Sequence, residues 1–262
     1  MQVFDYSKLF DMTGKKALVV GSGSGIGEAV ALGIAAHGAH TICGDLNLEA
    51  AEKVAAAIKS SGGSAEAARI DIGDGASVKE LIAQHTDLDV LVSTPAINVR
   101  KELLDMSEEE FDRVLSLNLK GTFRLLTAAG RNMKARGKGS IIAFASIRAI
   151  TVEPGQGVYA ATKAGVLQMC RALAAELGPH GVRVNAVGPG VVDTPLTAPI
   201  AANKGWYDAY AKKSALGRWA KPHEMAGAAV YLASEAGSFA TGTLTIVDGG
   251  WTAVDGRFTP PL

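Results

Sequence analysis

Tyr159 and Lys163 stand four residues apart in the stretch Tyr159-Ala160-Ala161-Thr162-Lys163-Ala164-Gly165. On a helix this spacing puts both side chains on one face, a single turn apart, so an ammonium can approach a phenol and favour its ionised form. An unperturbed tyrosine titrates near ~10, too high for a base at neutral pH, and a nearby cation is the usual way to lower it. A phenol so placed suits removal of a proton from an alcohol, a step to which a positioned base contributes ~10²- to 10⁴-fold. Ser146 precedes Tyr159 by thirteen residues, at the expected C-terminal end of a strand, where open parallel sheets collect their ligands. Asn118 falls within a long helical stretch; it is a poor helix former there, which implies a specific hydrogen bond. A lone Tyr-x-x-x-Lys is a weak signal, and its weight comes from these companions.

The elements that would position these groups begin with a strand, Lys16 to Val20, followed directly by Gly21-Ser22-Gly23-Ser24-Gly25-Ile26-Gly27 and a helix. Glycines in such a turn let the backbone approach a pyrophosphate, whose charge is favoured by the unpaired N–H groups of a helix start. Asp45 ends the second strand twenty residues past Gly25, where a carboxylate can accept hydrogen bonds from the adenosine ribose hydroxyls. It would repel a 2′-phosphate, and neither Ser24 nor Leu46 supplies a cation to hold one, so NAD is favoured over NADP.

Strand-like and helix-like segments alternate along the rest of the chain. Strands are expected at Thr41–Gly44, Ala65–Ile70, Leu88–Val92, Ser140–Ala145, Val182–Val187 and Leu244–Val247. Helices are expected at Gly25–His37, Leu48–Ser61, Gly75–His85, Ser107–Arg136, Gln156–Gly178 and Pro222–Ser234. Regular alternation of this kind implies a parallel sheet covered by helices on both faces, joined by right-handed crossovers. The 262 residues suit one α/β domain. Residues 1–13 read as an N-terminal arm, 195–215 as a substrate lid carrying Trp206, Tyr207 and Tyr210, and 251–262 as a C-terminal extension. The helix Gln156–Gly178 is apolar on nearly all sides, more than one sheet can cover, so a second subunit is expected against it.

Lys plus Arg and Asp plus Glu both number 26, which leaves no basic footprint for nucleic acid and no acidic tail. No apolar run has the ~18 to 20 residues of a membrane span, and Asp5, Lys8 and Asp11 interrupt any leader-like core, which points to the cytoplasm. Cys43 and Cys170 read as buried thiols, and the scattered histidines make a catalytic metal unexpected. Partners should be a small-molecule substrate and further copies of the chain.

With the Gly-rich turn, Asn118, Ser146, Tyr159, Lys163 and Arg183-Val184-Asn185-Ala186-Val187-Gly188-Pro189-Gly190 in order, and with the ending Ile246-Val247-Asp248-Gly249-Gly250, the chain resembles the short-chain dehydrogenase/reductase family. The resemblance runs from about Gly14 to Gly250. It implies a single Rossmann-like domain, a doubly wound parallel sheet of seven strands with helices on both faces, in homotetramers. By the same resemblance Tyr159 would be the acid/base, Ser146 would bind the substrate oxygen, Lys163 would hold the nicotinamide ribose and Asn118 a water of the proton relay. Asp71 and Ile72 would contact adenine. Pro189, Gly190, Val192 and Thr194 would meet the nicotinamide end.

The chain departs from the family pattern in two places. Val20 replaces a threonine before the first glycine, and Ser93-Thr94-Pro95-Ala96 replaces Asn-Asn-Ala-Gly. The usual hydrogen bonds between the two segments are therefore expected to be missing, with a consequence for cofactor affinity. Arg100, Lys101 and Arg148 come from segments that wall the pocket in this family. If they face inwards, a sugar acid or polyol would suit the site, with Arg148 gripping a carboxylate. The opening Phe10-Asp11-Met12-Thr13-Gly14-Lys15 also looks like gluconate 5-dehydrogenase-type members. The alternatives are reduction of 3-oxoacyl thioesters and, in another class, a non-catalytic nucleotide-sensing scaffold.

Overall fold

Seven strands, β1 (Lys16–Val20), β2 (His40–Asp45), β3 (Ala65–Arg69), β4 (Val90–Ser93), β5 (Gly139–Phe144), β6 (Val182–Pro189) and β7 (Leu244–Val247), form one sheet in the order β3-β2-β1-β4-β5-β6-β7. Every pairing is parallel. The computed structural model describes residues 5–254. The chain winds outward from β1 to β3, then returns to lay β4 beside β1. The switch point that makes the crevice for a ligand therefore lies at the carboxyl ends of β1 and β4.

The continuous apolar strands are explained by two cores. Successive residues point to opposite faces, so Val19, Cys43, Val92 and Ile142 enter one core, while Leu18, Ile42, Leu91 and Ile141 enter the other. The first core is closed by α1 (Gly25–Ala36), α2 (Leu48–Ser60) and the helix Ala226–Ala233, through Val30, Ile34, Val54, Ile58 and Val230. The second is closed by α3 (Gly75–Gln84), the helix Thr122–Arg136 and the helix Gly157–Leu177, through Val78, Leu81, Leu125, Met133, Val166 and Cys170. Burial pushes the thiols of Cys43 and Cys170 up to about 11 and about 12, so neither carries thiolate chemistry.

Four expectations change in detail. The long helix over 107–136 is interrupted: α4 (Glu108–Leu115) is followed by a π-helical stretch, Ser116–Gly121, and then by α5 (Thr122–Arg136). Asn118 sits in that stretch, and its carbonyl accepts a 2.7 Å hydrogen bond from the Thr122 hydroxyl. The last long helix starts as a 3₁₀ turn, Pro222–Met225, before its α-helical part. The segment expected as a lid is a 3₁₀ turn, Pro195–Thr197, followed by two helices, α7 (Ala198–Ala201) and α8 (Lys204–Lys213); α6 (Gly157–Leu177) precedes them and α9 (Ala226–Ala233) follows. The arm is anchored at its end, where Met12 is fully buried and its N–H donates to the His37 carbonyl at 2.7 Å. Of the C-terminal extension, 251–254 are described; 255–262 lie outside the described residues. Among the described residues no helix is long and apolar enough to cross a membrane.

Candidate active site

A cleft of about 430 Å³ opens at the switch point. It is lined by Gly21, Ser24, Gly25, Ile26 and Gly27 from the turn, Asp45 from β2, Asp71 and Ile72 after β3, and Thr194. Two glycines are required here. Gly25 has φ +57, and a Cβ on Gly27 would lie 1.9 Å from the Gly21 carbonyl oxygen. Ser24 makes no side-chain cap on α1, which leaves the first N–H groups of the helix without a side-chain acceptor. This cradle fits a dinucleotide pyrophosphate. Asp45 accepts from the N–H of Gly23 at 2.8 Å and of Asn47 at 2.9 Å, so its carboxylate is fixed at the rim. Neither Val192 nor Pro189, the last residue of β6, is among the residues that line the cleft. Val192 is buried and bridged to Ala220, and its carbonyl accepts from the Thr197 hydroxyl at 2.6 Å.

The link expected to be lost between β1 and β4 is rebuilt from the other side. Val20 pairs with Ser93 in register, which brings Thr94 beside the first glycine. The Thr94 hydroxyl donates to the Val20 carbonyl at 2.9 Å and its N–H donates to the same oxygen at 3.0 Å. The hydroxyl that is missing at position 20 is thus supplied from β4. Thr94→Val should weaken dinucleotide binding about three- to tenfold, the equivalent of one neutral hydrogen bond. A fluorescence titration that gives an unchanged Kd would show that the link does not brace the turn.

The second cavity is a chamber of about 70 Å³ that shares Leu196 with the cleft. Ser146, Tyr159 and Gly190 line it, together with Arg100, Arg148, Tyr210 and Trp251. Ser146 lies two residues past the end of β5 and caps the next turn through the Arg148 N–H at 3.1 Å. Burial raises the Tyr159 phenol above its ordinary value; the hydrogen bond with Ser146 and the charges of Arg100 and Arg148 act in the opposite direction. Lys163 lies over the Tyr159 ring, 5.6 Å from its centroid. Its ammonium donates to the Phe144 carbonyl at 2.7 Å rather than to the phenol, and burial brings it down to about 8. The Asn118 side chain clamps the loop after β4: Oδ1 accepts from the Ile97 N–H at 2.9 Å and Nδ2 donates to the Ile97 carbonyl at 2.8 Å. Its contacts in this structure are thus with Ile97, Thr122 and Thr162.

Arg100 and Arg148 line the chamber, but they are already engaged. Both pair with Glu153, Arg148 through Oε2 and Arg100 through Oε1 at 3.5 Å. Gln156 and Tyr210 also donate to Oε1. Trp206 does not line the chamber; its ring lies under the Arg100 guanidinium at 5.6 Å, and Trp251 holds Arg148 in the same way at 5.4 Å. Lys101 points elsewhere, to Glu110 at 2.9 Å. Glu153, Gln156 and Trp251 carry no motif. For Glu153 and Gln156 the one sequence signal is position, since the loop from Ser146 to Tyr159 has both ends in the chamber; Trp251, after β7, has none. Among the described residues no group of three or more His, Cys, Asp or Glu side chains could hold a metal ion.

Fold and site together define a dinucleotide-dependent oxidoreductase, and comparison with known proteins agrees. Residues 20–252 match the family described as Enoyl-(Acyl carrier protein) reductase. Gluconate 5-dehydrogenase of Gluconobacter oxydans is 32% identical over 93% of this chain and 97% of its own length. D-threitol dehydrogenase of Mycolicibacterium smegmatis is 39% identical over 93% and 95%. A solved gluconate 5-dehydrogenase of Burkholderia cenocepacia, in complex with NADP and tartrate, superposes with TM-score 0.90 at 33% identity, covering 94% of this chain and 98% of that one. The chain belongs to the short-chain dehydrogenase/reductase family, and it is an NAD(P)-dependent oxidoreductase of CH–OH groups.

Proposed function

We propose that this protein oxidises a secondary alcohol of a small polyhydroxylated compound, a polyol or a sugar acid, to the ketone, with NAD as its preferred cofactor. The observation that carries this reading is the chamber itself. Ser146 and Tyr159 share it with a wall of paired charges, and it adjoins the dinucleotide cleft at Leu196. A nicotinamide dinucleotide held in the cleft by the glycine turn and Asp45 would supply the hydride acceptor for the carbinol carbon. Ser146 hydrogen-bonds the substrate oxygen, and the Tyr159 phenolate takes the hydroxyl proton. The Lys163 ammonium, held at the Phe144 carbonyl, lies against the face of the phenol ring. Asn118, through Ile97, holds the loop between cleft and chamber and is a positioning residue. A 3-oxoacyl chain would bury Arg100, Arg148 and Glu153 against hydrocarbon without new partners, which costs more than it gains. The relatives named for gluconate and threitol support a polyhydroxylated substrate. We place the enzyme in the cytoplasm as a homotetramer.

The test is turnover with NAD over a panel of polyols, aldonates and simple alcohols, followed at the nicotinamide absorbance. Tight NAD binding without turnover of any of them would favour a sensing role instead. Cofactor choice is checked separately. With Asp45 fixed at the rim, NAD should be preferred over NADP by at least about tenfold in kcat/KM, or ~1.4 kcal/mol, and Asp45→Ala should narrow the gap. Equal kcat/KM for the two in the unmutated enzyme would remove Asp45 as the selector.

A further inference from the structure

The carboxylate of Glu153 collects four donors from three segments of the chain: its own loop, the loop after β4, and α8. Arg148 reaches Oε2; Arg100, Gln156 and Tyr210 reach Oε1. The acceptor pattern resembles that of a bound substrate carboxylate, and the side chain that makes it belongs to the protein. We propose that Glu153 occupies the anion seat of the chamber, so that the enzyme selects neutral polyols against aldonates. This inference rests on the reading of the site as a polyol or sugar-acid dehydrogenase and decides between the two.

Three observations carry it. First, Arg148 has no open fork. One terminal nitrogen is on Glu153, the other is 3.5 Å from the Thr151 hydroxyl, and a face of the guanidinium lies over Trp251. Bidentate capture of a second carboxylate would require the first to leave. Second, Glu153 stands behind the lining. Its four partners line the chamber and Glu153 itself does not; Arg148 is 7% exposed and the Glu153 side chain 20% exposed, so an aldonate drawn to these donors would bring a second carboxylate against the first at low solvent content. Third, the same carboxylate ties down the lid. Tyr210 lies on α8, within the aromatic cluster of Trp206, Trp219 and Trp251. Displacing Glu153 therefore also releases Tyr210. A neutral hydroxyl group requires none of this, because it brings no second charge and can accept from Arg100, which meets Glu153 through one terminal nitrogen.

The experiment compares matched pairs of equal chain length with NAD, D-glucitol against D-gluconate and D-threitol against D-threonate. The wild-type enzyme should favour the neutral member of each pair by at least about tenfold in kcat/KM. Glu153→Gln keeps the shape, removes the charge and frees Arg148, and should shift that ratio towards the aldonate by at least tenfold. As a readout independent of turnover, D-gluconate should raise the Tm of the Glu153→Gln protein and leave that of the wild type unchanged. A wild-type preference for the aldonates would overturn the inference without any variant being made. Equal changes on both members in Glu153→Gln would also overturn it, with the polyol or sugar-acid reading left standing. Turnover of simple alcohols, with none of any polyol or aldonate, would instead overturn that reading, and the inference with it.

Discussion

Tyr159→Phe is expected to lower kcat by at least ~10²-fold, and up to ~10⁴-fold, the span a positioned base contributes. The dinucleotide Kd should change little, because the cleft is lined without Tyr159. The substitution keeps the ring that packs over Lys163 and removes one oxygen, so the comparison isolates the proton carrier. In the wild type the rate of alcohol oxidation should climb with pH. Burial raises the phenol, while Ser146 and the two guanidiniums restrain the rise without reversing it, so the phenol holds its proton at neutral pH. In Tyr159→Phe the climb should disappear together with most of the rate. Steady-state rates from pH 6 to 10 beside a fluorescence titration of the dinucleotide would decide the point. Activity within threefold of wild type would remove Tyr159 from the mechanism.

The features legible in the sequence are those that depend on neighbours along the chain. Two-sided burial of the strands makes continuous apolar runs, the close approach of Gly27 to Gly21 excludes any side chain, and the pair Tyr159 and Lys163 needs only one helical turn. The features that are not legible depend on register and on segments far apart. Val20 and Thr94 each look like a loss when read alone. The pairing of Val20 with Ser93 shows that a hydroxyl has changed strands. Glu153-Pro154-Gly155 has the composition of a surface turn, and although Arg148 and Gln156 are near it in sequence, no local rule brings Arg100 and Tyr210, fifty-three and fifty-seven residues away, to the same carboxylate. Position along the chain is enough to bring Arg100 and Arg148 to the chamber, but not to reveal that Glu153 already neutralises them. The same holds for Asn118: its place in a helix implies a hydrogen bond, but the partner, Ile97, is twenty-one residues away on the loop after β4.

Lys163→Met should give a protein that is more stable at pH 7 and has lost most of its turnover. A free lysine titrates at 10.5, and burial brings Lys163 down to about 8 in the folded protein. Below pH 8 both the folded and the unfolded chain carry the proton, so the folded state bears the whole cost of the buried ammonium, on the order of 3 kcal/mol. Between pH 8 and 10.5 the folded protein gives up the proton while the unfolded chain keeps it, so wild-type stability rises through that window. Methionine fills a similar volume without the charge. It also removes the 2.7 Å hydrogen bond from the charged ammonium to the Phe144 carbonyl, a loss of at least about 1.5 kcal/mol. Relief of the buried charge outweighs the lost hydrogen bond, which leaves a gain of at most about 1.5 kcal/mol at pH 7 and a Tm higher by up to roughly 6 °C for a domain of this size. The advantage should shrink as pH rises from 8 towards 10.5. A lower Tm for Lys163→Met at pH 7, or a gap that widens with pH, would mean that the ammonium is stabilising where it lies. In the expected case, the enzyme keeps a destabilising charge under the phenol because the reaction needs it there.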